Sequence, residues 1–205
     1  MSVLGKIFRR SKNELWRQLA EDIGGQYEDG GYWNPDGVRY KHEEWEIVLD
    51  TYEVSAGNSS QTITRMRAPF INLDGFYFYM YNEHVFTRLA KFFGAQDVEI
   101  GDEMFDKKFM IKANDPVKLK ALLDDKRLKQ LIYKNPKVRF GISDGSSPTS
   151  RKFPGRIECL FFEVHGTIRN KRQLKDWFEM FSIALERLVE IDSAYENDPL
   201  IRIRL

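Results

Sequence analysis

The clearest hydrophobic pattern in the chain is residues 75–81, where two kinds of large side chain alternate. Successive side chains of a strand point to opposite faces, so one set requires burial. The other set is apolar in body and polar at its tip, which suits a half-wet surface or contact with another element. We therefore predict a central antiparallel strand whose outer face is covered or used. The inward set is Phe76, Phe78 and Met80, and the outward set is Tyr77, Tyr79 and Tyr81.

Other extended segments surround this strand. Residues 45–54 and 62–70 alternate in the same way and are joined by the polar residues 55–60, which is typical of a hairpin. Because consecutive strands tend to be neighbours, these two segments and 75–81 predict a three-stranded meander. Further strands are predicted at 38–41, 104–112, 138–143 and 157–165.

Apolar residues at helical spacing predict helices around these strands. The first has Ser11 and Glu14 at capping-box spacing, in which the hydroxyl accepts from a free backbone N–H and the carboxylate reaches back. The last follows the cap Asn170 and has a wide apolar face, which should pack on the sheet. Two further helical regions are predicted at 85–93 and, with a break near Asp124, at 116–132.

These elements indicate one α+β domain over residues 1–205, with a mainly antiparallel meander sheet covered on one face by helices. A long amphipathic helix near the C-terminus is one of them. A chain of 205 residues can bury about 70% of its extended-chain surface in one core. Within the domain we expect an N-terminal arm at 1–10, a mobile loop at 144–154 and a C-terminal tail at 193–205. Residues 200–205 of that tail alternate like an edge strand.

Composition and charge narrow the function classes. The 32 basic and 31 acidic residues leave a net charge of +1, without the basic excess of a dedicated nucleic-acid binder. No apolar stretch approaches the ~20 residues that span a bilayer, and the first residues lack a signal-peptide pattern. We therefore expect a soluble, cytoplasmic protein. The single cysteine, Cys159, allows no intrachain disulfide and is expected to be a buried small hydrophobe.

The residue types that carry chemistry form no catalytic or metal-binding motif. The acidic segment 97–106 has the oxygen ligands that Mg²⁺ or Ca²⁺ prefers, but its spacing is not that of an EF-hand loop. A solvated acidic turn is the favoured interpretation. His42, His84 and His165 lie far apart, and none pairs at metal-ligand spacing. We expect no catalytic residue, no metal and no cofactor, and we favour a protein that is not an enzyme.

A candidate interaction surface combines the three outward tyrosines, Tyr77, Tyr79 and Tyr81, with Arg65 and Arg67. Arginines beside aromatic rings can bind single-stranded nucleic acid, where bases stack over a positive groove. The alternative is a stabilising ladder in which arginine stems pack on tyrosine rings across strands. The near-zero net charge favours that alternative over nucleic-acid binding.

The motifs in sequence order are a helix at 15–24, Tyr-Glu-Val-Ser at 52–55, Thr-Arg-Met-Arg-Ala-Pro-Phe at 64–70, and 105–115 before a leucine-rich helix. This order resembles a group of uncharacterised bacterial proteins of about this size. The resemblance extends over roughly residues 15–191. Its motifs are structural, so it implies no active site and no function.

Three hypotheses for function follow. The leading one is a non-catalytic domain that acts through protein–protein contacts, with self-association as a homodimer. The second is a small-molecule-binding or hydrolytic domain with a pocket between the sheet and the C-terminal helix. Its candidate residues are His165, Glu163 and Trp177. The third is a weak nucleic-acid or membrane-surface binder, for which the basic amphipathic arm would be the membrane contact.

Overall fold

The computed structural model describes residues 3–32, 34–56, 59–82, 96–135, 137–145 and 152–205, without the side chains of 3–11, 56, 59 and 96. The helices of these residues are α1 (Val3–Ile23), α2 (Glu103–Asp106), α3 (Pro116–Leu122), α4 (Lys126–Tyr133) and α5 (Lys171–Glu190). The strands are β1 (Gln26–Glu28), β2 (Gly37–His42), β3 (Trp45–Ala56), β4 (Ser59–Ile71), β5 (Phe78–Tyr81), β6 (Gln96–Asp97), β7 (Met110–Ala113), β8 (Val138–Ser143) and β9 (Ile157–His165).

The nine strands of the described residues form one sheet in the order β1-β2-β3-β4-β9-β8-β5-β7-β6. Every neighbouring pair is antiparallel. The predicted α+β fold, with its mainly antiparallel sheet and its long C-terminal helix, is confirmed. The third strand of the predicted meander is not beside the second, because β9 and β8 lie between β4 and β5. β4 pairs instead with β9 over eight residues.

Helix α5 covers one face of the sheet. Its cap is Asn170, whose side chain accepts from the backbone N–H of Gln173, as predicted. The Trp177 ring packs edge-on against Phe162 of β9 at 4.7 Å between centroids. Its indole N–H donates to Asn135 Oδ1 at 3.0 Å, so the one polar atom of this ring has a partner in the core. The face therefore buries apolar surface without leaving the indole N–H unsatisfied.

Helix α1 differs from the prediction at its beginning. It includes Val3–Ile23, so Ser11 lies inside the helix and is not an N-cap. The apolar residues of the arm have helical spacing, and this favours continuation of the same helix through the arm. Its second half packs into the core through Trp16 and Leu19. Within the described part of the chain, no helix combines the length and the apolar character needed to cross a membrane.

One other predicted segment has a different outcome. The first half of the predicted strand 104–112 is the short helix α2, because Asp102 caps it by accepting from the backbone N–H of Phe105. Only Met110–Ala113 is extended there. The predicted helix at 85–93, His84, and residues 146–151 of the predicted loop lie outside the described residues.

Candidate contact face of the sheet

The face of the sheet opposite α5 has a row of four charged residues. The cross-strand register places one residue from each of four neighbouring strands directly beside the next. In the order β3, β4, β9 and β8, the row consists of Asp50, Arg65, Glu163 and Arg139. We name these four residues the charged row. Its charges alternate in sign from one strand to the next.

Asp50 is the buried end of the row, with no exposed surface. Arg65 binds it in a bidentate manner, with Nε 2.6 Å from Oδ1 and Nη2 3.0 Å from Oδ2. Arg67 Nη2 donates to the same Oδ2 at 2.5 Å. A buried carboxylate is costly unless it is paired and hydrogen-bonded, and here two guanidinium groups satisfy both conditions. The arrangement also fixes the position of both arginines.

Glu163 and Arg139 form the more accessible end. Their side chains keep 15% and 16% of their surface exposed, and Arg139 Nη2 lies 2.6 Å from Glu163 Oε2. The Tyr52 hydroxyl donates to Glu163 Oε1 at 3.0 Å. Burial, followed by the charge of Glu163, raises the pKa of Tyr52 to about 12, so the phenol keeps its proton and remains a donor. The Arg65 guanidinium lies 4.5 Å above the Tyr52 ring.

The two tyrosines of β5 lie on the same face as the charged row. Phe78 and Met80 point into the core, whereas Tyr79 and Tyr81 point to the opposite face, as the alternation predicts. The rings of Tyr79 and Tyr81 lie 5.4 Å apart, and both side chains are buried. Tyr77 precedes β5 and packs, partly buried, against the main core. Four of the five predicted surface residues therefore share one face.

The predicted arginine–tyrosine contact occurs with a different ring. Arg65 packs on Tyr52, its neighbour on β3, because β9 and β8 separate Arg65 from β5. Tyr52 and Glu163 complete the hydrogen-bonded polar groups around the charged row. The sequence gives only a weak indication that Tyr52 belongs to them. It lies two residues after Asp50, which places both side chains on the same face of β3.

The residues proposed for a pocket do not converge. Trp177 is buried between α5 and the sheet, and Glu163 lies on the other face of the same sheet. His165 is exposed at the end of β9. Because Trp177 contacts Phe162 directly, the space between α5 and this part of the sheet is filled.

His42 has a carboxylate partner that the sequence did not indicate. Its Nε2 lies 2.8 Å from Glu186 Oε1, which is contributed by α5. Its ring centroid lies 6.3 Å from that of Tyr40 and 6.4 Å from that of Trp45. A partner 144 positions away along the chain leaves no local trace in the sequence. This pair links β2 to α5.

The acidic segment is used for local structure. Asp102 caps α2, and Asp106 accepts backbone N–H groups of Ile100 and Gly101 at 2.9 Å. Asp97 lies 3.0 Å from Lys112 on β7. In the part of the chain that the structure describes, no group of three His, Cys, Asp or Glu side chains is arranged to hold a metal ion.

A polar depression of about 610 Å³ lies at the β1 edge of the sheet, beside the chain's last residues. Its walls come from the β1–β2 connection and from those last residues. The lining residues are Glu28, Asp29, Gly30, Asn34, Arg204 and Leu205.

Comparison with known proteins adds information about the fold. No protein-family model matches the sequence, and no curated protein matches it significantly. Among solved structures, the chain is similar to the crystal structure of the mycobacterial trehalose monomycolate transport factor A, TtfA. The two are 9% identical with a TM-score of 0.50, and the match covers 87% of this chain and 96% of that one. At this identity the likeness concerns the fold alone.

Proposed function

We propose that the protein is a non-catalytic domain that acts through protein–protein contacts, and that it self-associates through the charged row. The observation that carries the proposal is the alternation of charge across four neighbouring strands. Each of these charges is fixed by a hydrogen bond or ion pair within the face. A fixed pattern of charge selects a partner whose pattern is complementary.

The charged row is complementary to its own reversed copy. Read from β3 to β8, its signs are negative, positive, negative, positive. A two-fold axis parallel to the strands reverses the order of the row in the second copy, so each charge faces the opposite sign. An isologous interface requires this relation, in which the contact from one residue to another is repeated in both directions. Arg65 then faces Glu163 of the partner subunit.

The composition of the face also favours a contact surface. Arginine and tyrosine are the residues most often found at the energetic centre of protein interfaces. Tyr52 contributes a half-buried ring beside the row, and Arg139 and Glu163 are the members of the row that retain the most solvent exposure. Because these groups are already oriented, little side-chain freedom is lost when a partner binds.

The first prediction is that Arg139→Glu weakens self-association. The substitution replaces the accessible positive end of the row by a negative charge beside Glu163, so the alternation that complements a second copy is lost at this end. We expect the dimer dissociation constant to rise about tenfold or more at low salt. Sedimentation equilibrium over a range of protein concentrations measures this constant directly. Far-UV circular dichroism establishes that the variant remains folded.

Arg127→Glu is the matched control. Arg127 also pairs with a glutamate, Glu179, but it lies on α4 against α5, on the helix-covered side. The same change of charge at that position leaves the dimer unaffected if the row is the interface. A wild-type protein that stays monomeric at high concentration contradicts the proposal, and so does an equal loss of dimer in both variants.

A further inference from the structure

The chain's last residues lie across the sheet face beside the charged row. Among the described residues, 201–205 form no strand, yet the Ile203 side chain is only 3% exposed. It packs against Val48 of β3 and Cys159 of β9 in a small apolar cluster separate from the main core. Ile203 therefore occupies an apolar slot on this face, with Leu205 and Phe153 packed at its border.

Two arginines of the sheet donate hydrogen bonds to main-chain carbonyl groups of this segment. Arg39 Nη2 donates to the carbonyl oxygen of Ile203 at 2.7 Å, and Arg67 Nη2 donates to that of Arg204 at 3.1 Å. Arg39 Nη1 is held by Glu46 at 2.6 Å, and Arg67 is held by Asp50. The donors are therefore oriented before a segment binds, and they recognise carbonyl groups that every peptide has.

A second aliphatic position is defined at Gly37. A Cβ atom at this glycine would lie 2.5 Å from Leu205 Cδ2, so the absence of a side chain makes the room that Leu205 occupies. Between the two aliphatic positions, Arg204 lines the polar depression together with Glu28 and Asp29. The site thus selects an aliphatic residue, a basic residue and a second aliphatic residue in an extended segment.

The connection that leads into the segment is strained. Leu200 has a φ of 56° and is 87% exposed. A non-glycine residue in this left-handed region is sterically strained, because its Cβ lies too close to the following carbonyl oxygen. Release of the segment would relieve that strain. The strain therefore lowers the affinity of the sheet for the chain's own last residues and makes their replacement by another segment easier.

We propose that this groove is a binding site for an extended peptide segment of the pattern aliphatic–basic–aliphatic, and that the chain's own residues 203–205 occupy it in competition with such a segment of a partner protein. Recognition is by the two arginine donors, the slot at Val48 and Cys159, and the space at Gly37. The proposal goes beyond self-association through the charged row, and its test does not depend on the oligomeric state.

The second prediction tests the groove with a synthetic peptide, Pro-Leu-Ile-Arg-Ile-Arg-Leu, labelled with a fluorophore at its N-terminus. The protein is the full chain, either wild type or with Ile203→Asp, which releases the tail by placing a charge in the apolar slot. The chain's own tail is tethered, so its effective concentration at the groove is in the millimolar range. With a dissociation constant on the order of 100 µM for the segment, the tail lowers the apparent affinity of the wild type for the peptide about tenfold or more. Fluorescence anisotropy should show about tenfold or more tighter binding to the variant.

Two altered peptides serve as controls. The peptide with the Ile203→Asp change should not bind, because its side chain cannot enter the slot. The peptide with Arg204→Gln should bind several-fold more weakly, because it lacks the positive charge that lies in the depression with Glu28 and Asp29. Equal affinity of the unaltered peptide for wild type and variant overturns the proposal, as does an absence of binding to the folded variant. If Ile203→Asp prevents folding, Leu205→Asp replaces it, since that side chain is only partly buried.

Cys159 gives an independent readout in the same samples. It is buried beside Ile203, and burial raises the pKa of its thiol to about 11. The thiol should react slowly with a disulfide reagent at pH 8 in the wild type and faster in the Ile203→Asp variant. The unaltered peptide should restore the slow rate. A faster rate that the peptide leaves unchanged contradicts binding in the groove.

Discussion

The two faces of this sheet are built from alternate residues of the same strands, and both contain fully buried side chains. Leu49 and Asp50 are neighbours on β3, and neither has exposed surface. On the side of Leu49, burial removes apolar area from water, which stabilises the fold by about 25 cal/mol per Å². On the side of Asp50, burial removes a charge from water, and two arginines offset that cost.

Equal burial therefore has different consequences on the two faces. The helix-covered face is stabilised by packing, and Asn135 there accepts a hydrogen bond from the Trp177 indole. The charged face gains little net stability, because the attraction within each ion pair is largely cancelled by desolvation. What it gains is fixed geometry, since each arginine has a defined direction. A face of this kind is suited to recognition.

The third prediction concerns the helix-covered face and has the largest effect. Trp177→Ala removes a fully buried ring that contacts Phe162 and leaves Asn135 with one donor fewer. We expect the free energy of unfolding to fall by about 3–5 kcal/mol, measured by urea denaturation. Trp177→Phe keeps much of the ring contact and loses the indole donor, so it should cost about 1–2 kcal/mol. Equal losses in the two variants would show that packing is not the main contribution.

The fourth prediction concerns the buried end of the charged row. Asp50→Asn keeps the size of the side chain but leaves Arg65 and Arg67 without their counter-charge. We expect a loss of about 2–3 kcal/mol in the free energy of unfolding, because the amide oxygen can still accept one hydrogen bond. Asp97→Asn is the matched control, since Asp97 pairs with Lys112 at an exposed position. It should change stability by no more than about 0.5 kcal/mol. A similar result at both positions would show that the row is solvated rather than buried.

The sequence predicts which side chains are buried under the helix, but it does not predict the charged row on the other face. The alternation at β5 and the helical spacing in α5 are local patterns, so the direction of Tyr79 and the burial of Trp177 could be predicted. The charged row depends on the pairing of β4 with β9, whose facing residues Arg65 and Glu163 are far apart in the chain. Neither local spacing nor composition contains that register.

The tail shows a different limit of sequence-based inference. The alternation of residues 200–205 predicts an edge strand, and the same alternation equally suits a segment whose aliphatic side chains enter a face. Two arginine donors satisfy its carbonyl groups in place of a neighbouring strand. The positions of Arg39 and Arg67 on that face follow from the register of β2, β3 and β4, which only the structure supplies.

The fifth prediction has the smallest effect and concerns the accessible end of the row. Arg139→Met keeps an unbranched apolar stem and removes the ion pair with Glu163, which retains the Tyr52 hydroxyl as a donor. Because both partners are partly exposed, solvent screens their attraction, and we expect a loss of roughly 1 kcal/mol or less. The difference from wild type should shrink in 1 M salt, where charges are screened within about 3 Å, whereas the loss in Trp177→Ala should persist. A double variant with Glu163→Gln should lose less than the sum of the single losses, since both substitutions remove one interaction. Additive losses would mean that Arg139 and Glu163 contribute independently, and the accessible end would then lack the coupling that a fixed row requires.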